Sequence, residues 1–149
     1  MVTKILHISW KERGALVTAF VVVAAIRVAL VVLPYRIVRR MLDATCRYRA
    51  YHRHNGAEKA SYIPGIVWAI KAVGRRLLGS RPCLTEALAA QWLLARSGIE
   101  TVIKIGVATS DDGCFLAHAW VEHEGKVIIG GFSSTTRFVP LEPHPGGTQ

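Results

Sequence analysis

Arg81-Pro82-Cys83-Leu84-Thr85-Glu86-Ala87-Leu88 sets a thiol at the start of an apolar-periodic stretch, and its reading decides the fold class. From Cys83 the pattern runs through Leu84, Ala87, Leu88, Gln91, Trp92 and Ala95 to Gly98, the spacing of a helix with one buried face and a glycine stop. Pro82 is tolerated in a first helical turn and Ser80 is a candidate N-cap, so Cys83 falls within that turn. Backbone N–H groups and the helix dipole favour a thiolate there, the nucleophilic form of cysteine.

Beyond Gly98 the period shortens from that of a helix to that of a strand. Thr101–Val107 is rich in β-branched residues, Thr109-Ser110-Asp111-Asp112-Gly113 is a turn cluster, and Cys114–His123 alternates as a second strand. Glu124-Gly125 is a tight turn, and Lys126–Ile129 returns as a third strand. A helix whose apolar face packs on an antiparallel sheet gives an α+β fold. His118 lies mid-strand in Ala117-His118-Ala119-Trp120-Val121-Glu122, thirty-five positions after Cys83, and an imidazole beside the thiol would act as its base. A regular hairpin about Glu124-Gly125 sets Gly131 opposite His118.

The 149 residues suffice for one domain with a real core, and their charge is unevenly spread. Residues 1–81 carry fifteen Lys and Arg against three Asp and Glu, and residues 82–149 carry four against seven, so the formal +9 is +12 and −3. The basic half reads either as a solvated face or as a surface for anionic lipid, since Arg36, Arg39, Arg40, Arg47, Arg49 and Arg53 follow directly on an apolar run. No nucleic-acid recognition motif or aromatic stacking pattern accompanies the charge, which disfavours a nucleic-acid partner.

The apolar run is Ala15–Leu33, interrupted by Thr18 and Arg27 and closed by Pro34, about the length that crosses a bilayer. Arg27 costs roughly 2.5–3.5 kcal/mol on insertion scales unless it snorkels, which so apolar a segment tolerates. The alternative is a helix buried by the rest of the domain or by a partner subunit. The run lacks a small-residue cleavage site before Pro34-Tyr35-Arg36, unlike a signal peptide, so the expected location is cytoplasmic, with residues 15–33 as the means of attachment to the inner face of the membrane. Cys46, Cys83 and Cys114 give no disulfide framework, which fits a reducing compartment. Tyr48–Ser61 reads as a polar connection, and Pro64–Leu78 as a further helix with Ile66, Ile70, Val73 and Leu77 on one face.

Cys114, His118 and His123, with Cys83 as a fourth, have the residue types of a metal site. On a strand rising about 3.3 Å per residue Cys114 and His118 lie roughly 13 Å apart, too far for ligands of one zinc, so no metal and no cofactor is expected. The same distance removes Cys114 as the sulfur partner of His118 and leaves it as a packed thiol. Glu122 shares the face of His118 at a similar remove, whereas Trp120, about 7 Å away, lines a cleft or packs in the core.

Gly79-Ser80-Arg81-Pro82-Cys83-Leu84, then Ala87-Leu88-Ala89, Leu93-Leu94, Gly98-Ile99, Ile105-Gly106-Val107, Ala117-His118-Ala119-Trp120-Val121-Glu122 and Gly125 resemble the transglutaminase-like cysteine peptidases of lasso-peptide biosynthesis. The resemblance is specific over residues 79–141 and looser before. It implies a papain-like or transglutaminase-like core over 79–142 and an apolar and basic helical region over 1–78, while Pro143-His144-Pro145-Gly146-Gly147-Thr148-Gln149 reads by composition as a frayed tail. By motif position Cys83 would be the nucleophile and His118 the base and later the acid. The activity implied is removal of a leader from a ribosomally made precursor peptide, with a separate leader-recognition protein and an ATP-dependent lasso cyclase as partners. Many family members carry an aspartate twelve residues after the histidine, where this chain has Gly130. A backbone carbonyl, Ser133 or Asp112 is then left to hold the imidazole. Acyl transfer on the same fold and a non-catalytic scaffold at the membrane are the rival readings.

Overall fold

The computed structural model describes residues 10–50, 60–77, 79, 83–109, 112–131 and 138–141, with the side chains of 10–12, 46–50 and 60 left out. The expected N-cap Ser80, Pro82, the turn residues 110–111, the alternative orienting residue Ser133, the 51–59 part of the polar connection and the tail all lie outside the described residues. Four α-helices, α1 (Trp10–Val32), α2 (Tyr35–Ala50), α3 (Ile63–Leu77) and α4 (Cys83–Arg96), precede the strands β1 (Val102–Thr109), β2 (Phe115–His123), β3 (Lys126–Ile129) and β4 (Val139–Pro140). The strands form an antiparallel sheet in the order β3-β2-β1-β4.

Pro34 lacks an N–H and disfavours helical backbone in the residue before it, so α1 ends at Val32 and α2 starts afresh at Tyr35. The end of α4 is closed by a left-handed Gly98 (φ 75°), with Ile99 N–H donating to Leu94 O at 2.9 Å and Gly98 N–H to Ala95 O at 3.0 Å. This paired motif satisfies two orphan carbonyls and folds Ile99 back into the core. Glu124 and Gly125 both take positive φ (49° and 75°), the turn whose twist matches two antiparallel strands.

One apolar core joins helices and sheet. Ala19, Val23 and Ile26 of α1 meet Ala69, Ile70 and Val73 of α3, the Ala87–Ala90 stretch and Leu94 of α4, and Ala119, Val121 and Ile129 of the sheet. Polar contacts fasten α2 to α4: Arg39 Nη1 donates to Gln91 Oε1 at 2.8 Å, and Trp92 Nε1 to Thr45 Oγ1 at 3.1 Å. Alternation along β2 sends Ala119 and Val121 to this helical side, and His118, Trp120 and Glu122 to the opposite face.

Two sequence expectations change here. Cys114 is exposed rather than packed: it precedes β2, whose own first residues Phe115 and Leu116 are exposed as well. The hairpin register is also shifted: His123 pairs with Lys126 and Glu122 with Val127, but a bulge then brings Ile129 opposite Val121. The extra residue moves every later position by one, so Gly131 is not opposite His118. β4, which was not foreseen, is a two-residue strand at the sheet's edge among the described residues, a position where Pro140 is tolerated.

Candidate active site

Cys83 is the first residue of α4, half-buried, at the positive end of the helix dipole. One turn on, Glu86 lies in the first turn on a neighbouring position of the helix surface. Burial pushes the Glu86 carboxyl above its ordinary range, opposed by Lys71 and Arg75 of α3. Its carboxylate occupies the notch left by Gly74, where any Cβ would collide with Glu86 Oε1.

His118 is held by the backbone. Its Nε2 lies 2.8 Å from Gly130 O. A carbonyl oxygen only accepts, so Nε2 carries the proton and Nδ1 is the basic nitrogen of the neutral ring. Gly130 makes this possible through its own conformation. Its φ is +80°, and a Cβ there would stand 2.7 Å from Ala119 O and 2.9 Å from Trp120 Cα. Only glycine fits such a left-handed turn against a neighbouring strand. Among the described residues the backbone carbonyl of Gly130 is an observed partner of the imidazole, while Asp112 sits exposed in a turn and Ser133 lies outside them.

Among the described residues two aromatic rings flank the imidazole. Trp120 stacks on it with centroids 6.4 Å apart and planes at 17°, and Phe138, which leads into β4, is 5.2 Å away at 35°. Trp120 is 3% exposed, so it packs rather than lining an open cleft. Its indole covers Gly106, where a Cβ would meet the ring at 2.9 Å, and its Nε1 donates to Glu122 Oε1 at 2.8 Å. The other oxygen of Glu122 accepts from Lys104 Nζ at 2.9 Å. The hydrogen bond from Trp120, then that from Lys104, lowers the Glu122 pKa from its ordinary value. Glu122 thus bears on His118 through Trp120, as its distance along the strand requires.

Of the strands, α4 packs most on β2, which carries His118. α4, which opens on Cys83, packs against the helical side of that strand, while alternation sets His118 on its other face. Among the described residues β3 pairs with β2 as far as Ile129, opposite Val121.

The family model described as transglutaminase-like superfamily matches residues 29–142, from the end of α1 to the residue after the last described position. The chain belongs to the transglutaminase-like superfamily. Membership agrees with the fold, a helix that opens on a cysteine against an antiparallel sheet that carries a histidine. It supports a cysteine peptidase or acyltransferase type of activity in this transglutaminase-like domain. No curated protein and no solved structure matches the chain.

Among the described residues no group of three His, Cys, Asp or Glu is placed to hold a metal ion. His123 Nδ1 donates instead to Glu100 O at 2.8 Å, pinning the entry to β1. The Gly130 carbonyl and Phe138 are the site features that sequence reasoning did not single out. Gly130, where the resemblance to lasso-peptide leader peptidases leads one to expect an aspartate, was the available signal for the first; nothing marks the second.

Proposed function

We propose that this chain is a cysteine peptidase that removes the leader from a ribosomally made lasso-peptide precursor, with Cys83 as nucleophile and His118 as base and acid. The observation that carries it is the Nε2–Gly130 O hydrogen bond at 2.8 Å, which leaves Nδ1 as the nitrogen for proton transfer in a transglutaminase-like domain. Local sequence around both residues supports the substrate class.

In the acylation step His118 Nδ1 takes the Cys83 proton as Sγ attacks the carbonyl at the end of the leader. The tetrahedral adduct collapses, the C–N bond breaks, and the imidazolium returns the proton to the departing amine. Water then attacks the thioester, His118 again accepting a proton, and the leader leaves as a carboxylic acid with the thiol restored. The Cys83 backbone N–H at the start of α4 is the natural donor to the developing oxyanion. The neutral Gly130 carbonyl orients the ring as an aspartate would, with less support for the imidazolium. A separate leader-recognition protein supplies substrate affinity, and an ATP-dependent lasso cyclase takes the freed core.

The test is mass spectrometry of a candidate precursor incubated with its leader-binding protein and the native chain or Cys83→Ala. Cleavage at one site by the native chain alone supports the reading. Cleavage by both proteins, or by neither when both are folded, contradicts it. Capture of the acyl group by an added amine in preference to water converts the reading to acyl transfer.

A further inference from the structure

We infer that α1 lies flat in the interfacial layer of an anionic bilayer, with one face immersed and the domain on the aqueous side. α1 is long and apolar enough to cross a membrane, since Arg13–Val32 has a mean hydropathy of 2.7. It nevertheless has two apolar stripes on opposite sides. Ala19, Val23 and Ile26 are buried against α3 and α4. Val17, Phe20, Val21, Val28, Val31 and Val32 are each at least half exposed and recur at helical spacing on the other side.

The inner stripe decides between crossing and lying flat. A crossing helix would either leave the core or carry α3 and α4 into hydrocarbon, together with Lys71, Arg75, Arg76 and Glu86. A helix lying in the interface keeps its core contacts and immerses only the outer stripe.

Charge identifies the occupant. Arg13, Arg27, Arg36, Arg40, Arg75 and Arg76 are exposed on α1, α2 and α3. Among the described side chains of these helices the one acid is Asp43, held by Arg39 at 3.1 Å. Arg27 falls on the flank of the outer stripe. Arg76 lines a groove of about 410 Å³ between Leu16, Val17 and Phe20 of α1 and Val73 and Leu77 of α3. Acyl chains suit the stripe and groove, and lipid phosphates suit the guanidiniums. A second copy fits poorly, because apposing two such faces brings like charges together.

The experiment is flotation of the full chain with phosphatidylcholine vesicles, with and without phosphatidylglycerol. Binding is expected on the anionic vesicles, at least tenfold weaker on neutral ones, and reversed by alkaline carbonate. Val21→Glu/Val28→Glu should abolish it without lowering the melting temperature, since both side chains are exposed. Arg27→Gln/Arg76→Gln should weaken it about 25-fold, near fivefold for each cation, and keeps the test intact if the first variant does not fold. Equal binding to neutral vesicles, resistance to carbonate, or no binding at all would overturn the inference; so would a dimer that Val21→Glu/Val28→Glu dissolves in place of vesicle binding.

Discussion

Restoring the family's aspartate by Gly130→Asp should damage this protein rather than improve it. Two terms set the size of the effect. The backbone at Gly130 has φ +80°, and a left-handed conformation costs a side-chain-bearing residue about 1–2 kcal/mol. The new Cβ would also stand 2.7 Å from Ala119 O and 2.9 Å from both Trp120 Cα and Cβ. Two of these three atoms are backbone, so they cannot rotate away, and crowding of this kind costs about 1–3 kcal/mol. The sum, about 2–5 kcal/mol, lowers the melting temperature by roughly 4–20 °C for a domain of this size. Gly130→Ala separates geometry from charge and should show most of the same loss. Both variants displace the carbonyl that accepts from His118, so cleavage should slow together with the melt. Thermal denaturation followed by circular dichroism, with precursor cleavage at a temperature where each variant is folded, reads both effects. A Gly130→Asp protein that melts within about a degree of the native one and cleaves faster would refute the reasoning.

Cys83→Ala should abolish precursor cleavage with an unchanged melt, and His118→Ala should abolish it with a melt lowered by the lost hydrogen bond and ring contacts, whereas Cys114→Ala should leave cleavage and melt untouched because that thiol is exposed. Trp120→Phe keeps a ring beside His118 but loses the hydrogen bond to Glu122, so it should cost about 1 kcal/mol, against about 3–5 kcal/mol for Trp120→Ala, as read from denaturant titration. Gly106→Ala should destabilise as well, since its Cβ meets both the Trp120 ring and Val139 O at 2.9 Å, and the loss should shrink in a Gly106→Ala/Trp120→Phe double variant. For Glu86 the folded carboxyl is raised above its unfolded value, chiefly by burial, so the folded state holds its proton more tightly. Its unfavourable contribution therefore appears as pH rises from the ordinary carboxylate range through the raised value, and remains above it. Glu86→Gln should remove that decline from a series of melts between mildly acidic and neutral pH; an unchanged decline would show that another group causes it.

The fold was legible where a local signal had a single physical reading. Gly98 marked the end of α4 because only glycine takes that left-handed turn readily, and Glu124-Gly125 marked the β2–β3 hairpin for the same reason. Pro34 divided α1 from α2. The bulge at Val121/Glu122 was not legible, since nothing in Val127-Ile128-Ile129 shows which residue will lose its partner. That single slip shifts the register by one, so Gly131 does not take the place opposite His118 that a regular hairpin would give it. β4 is two residues held by β1 and carries no period of its own. Trp120 illustrates a further limit: alternation placed it correctly on the face of His118, but only the sheet's other contacts show that it is buried. At the site, the sequence offered Gly130 as the absence of a carboxylate. The structure shows instead a main-chain acceptor, which no side-chain pattern can announce.

The alkylation rate of Cys83, with and without His118, tests the account most directly because it needs no substrate. The native chain and His118→Ala are treated with limiting iodoacetamide at neutral pH, and labelling of Cys83 and Cys114 is followed by peptide mass spectrometry. Exposure alone makes the exposed Cys114 the faster thiol and the half-buried Cys83 the slower. The account predicts the reverse in the native chain, with Cys83 at least about tenfold faster, and a fall of Cys83 to the Cys114 rate or below in His118→Ala. A Cys83 that reacts no faster than Cys114, or at the same rate with and without His118, would contradict the pairing on which the proposed chemistry stands.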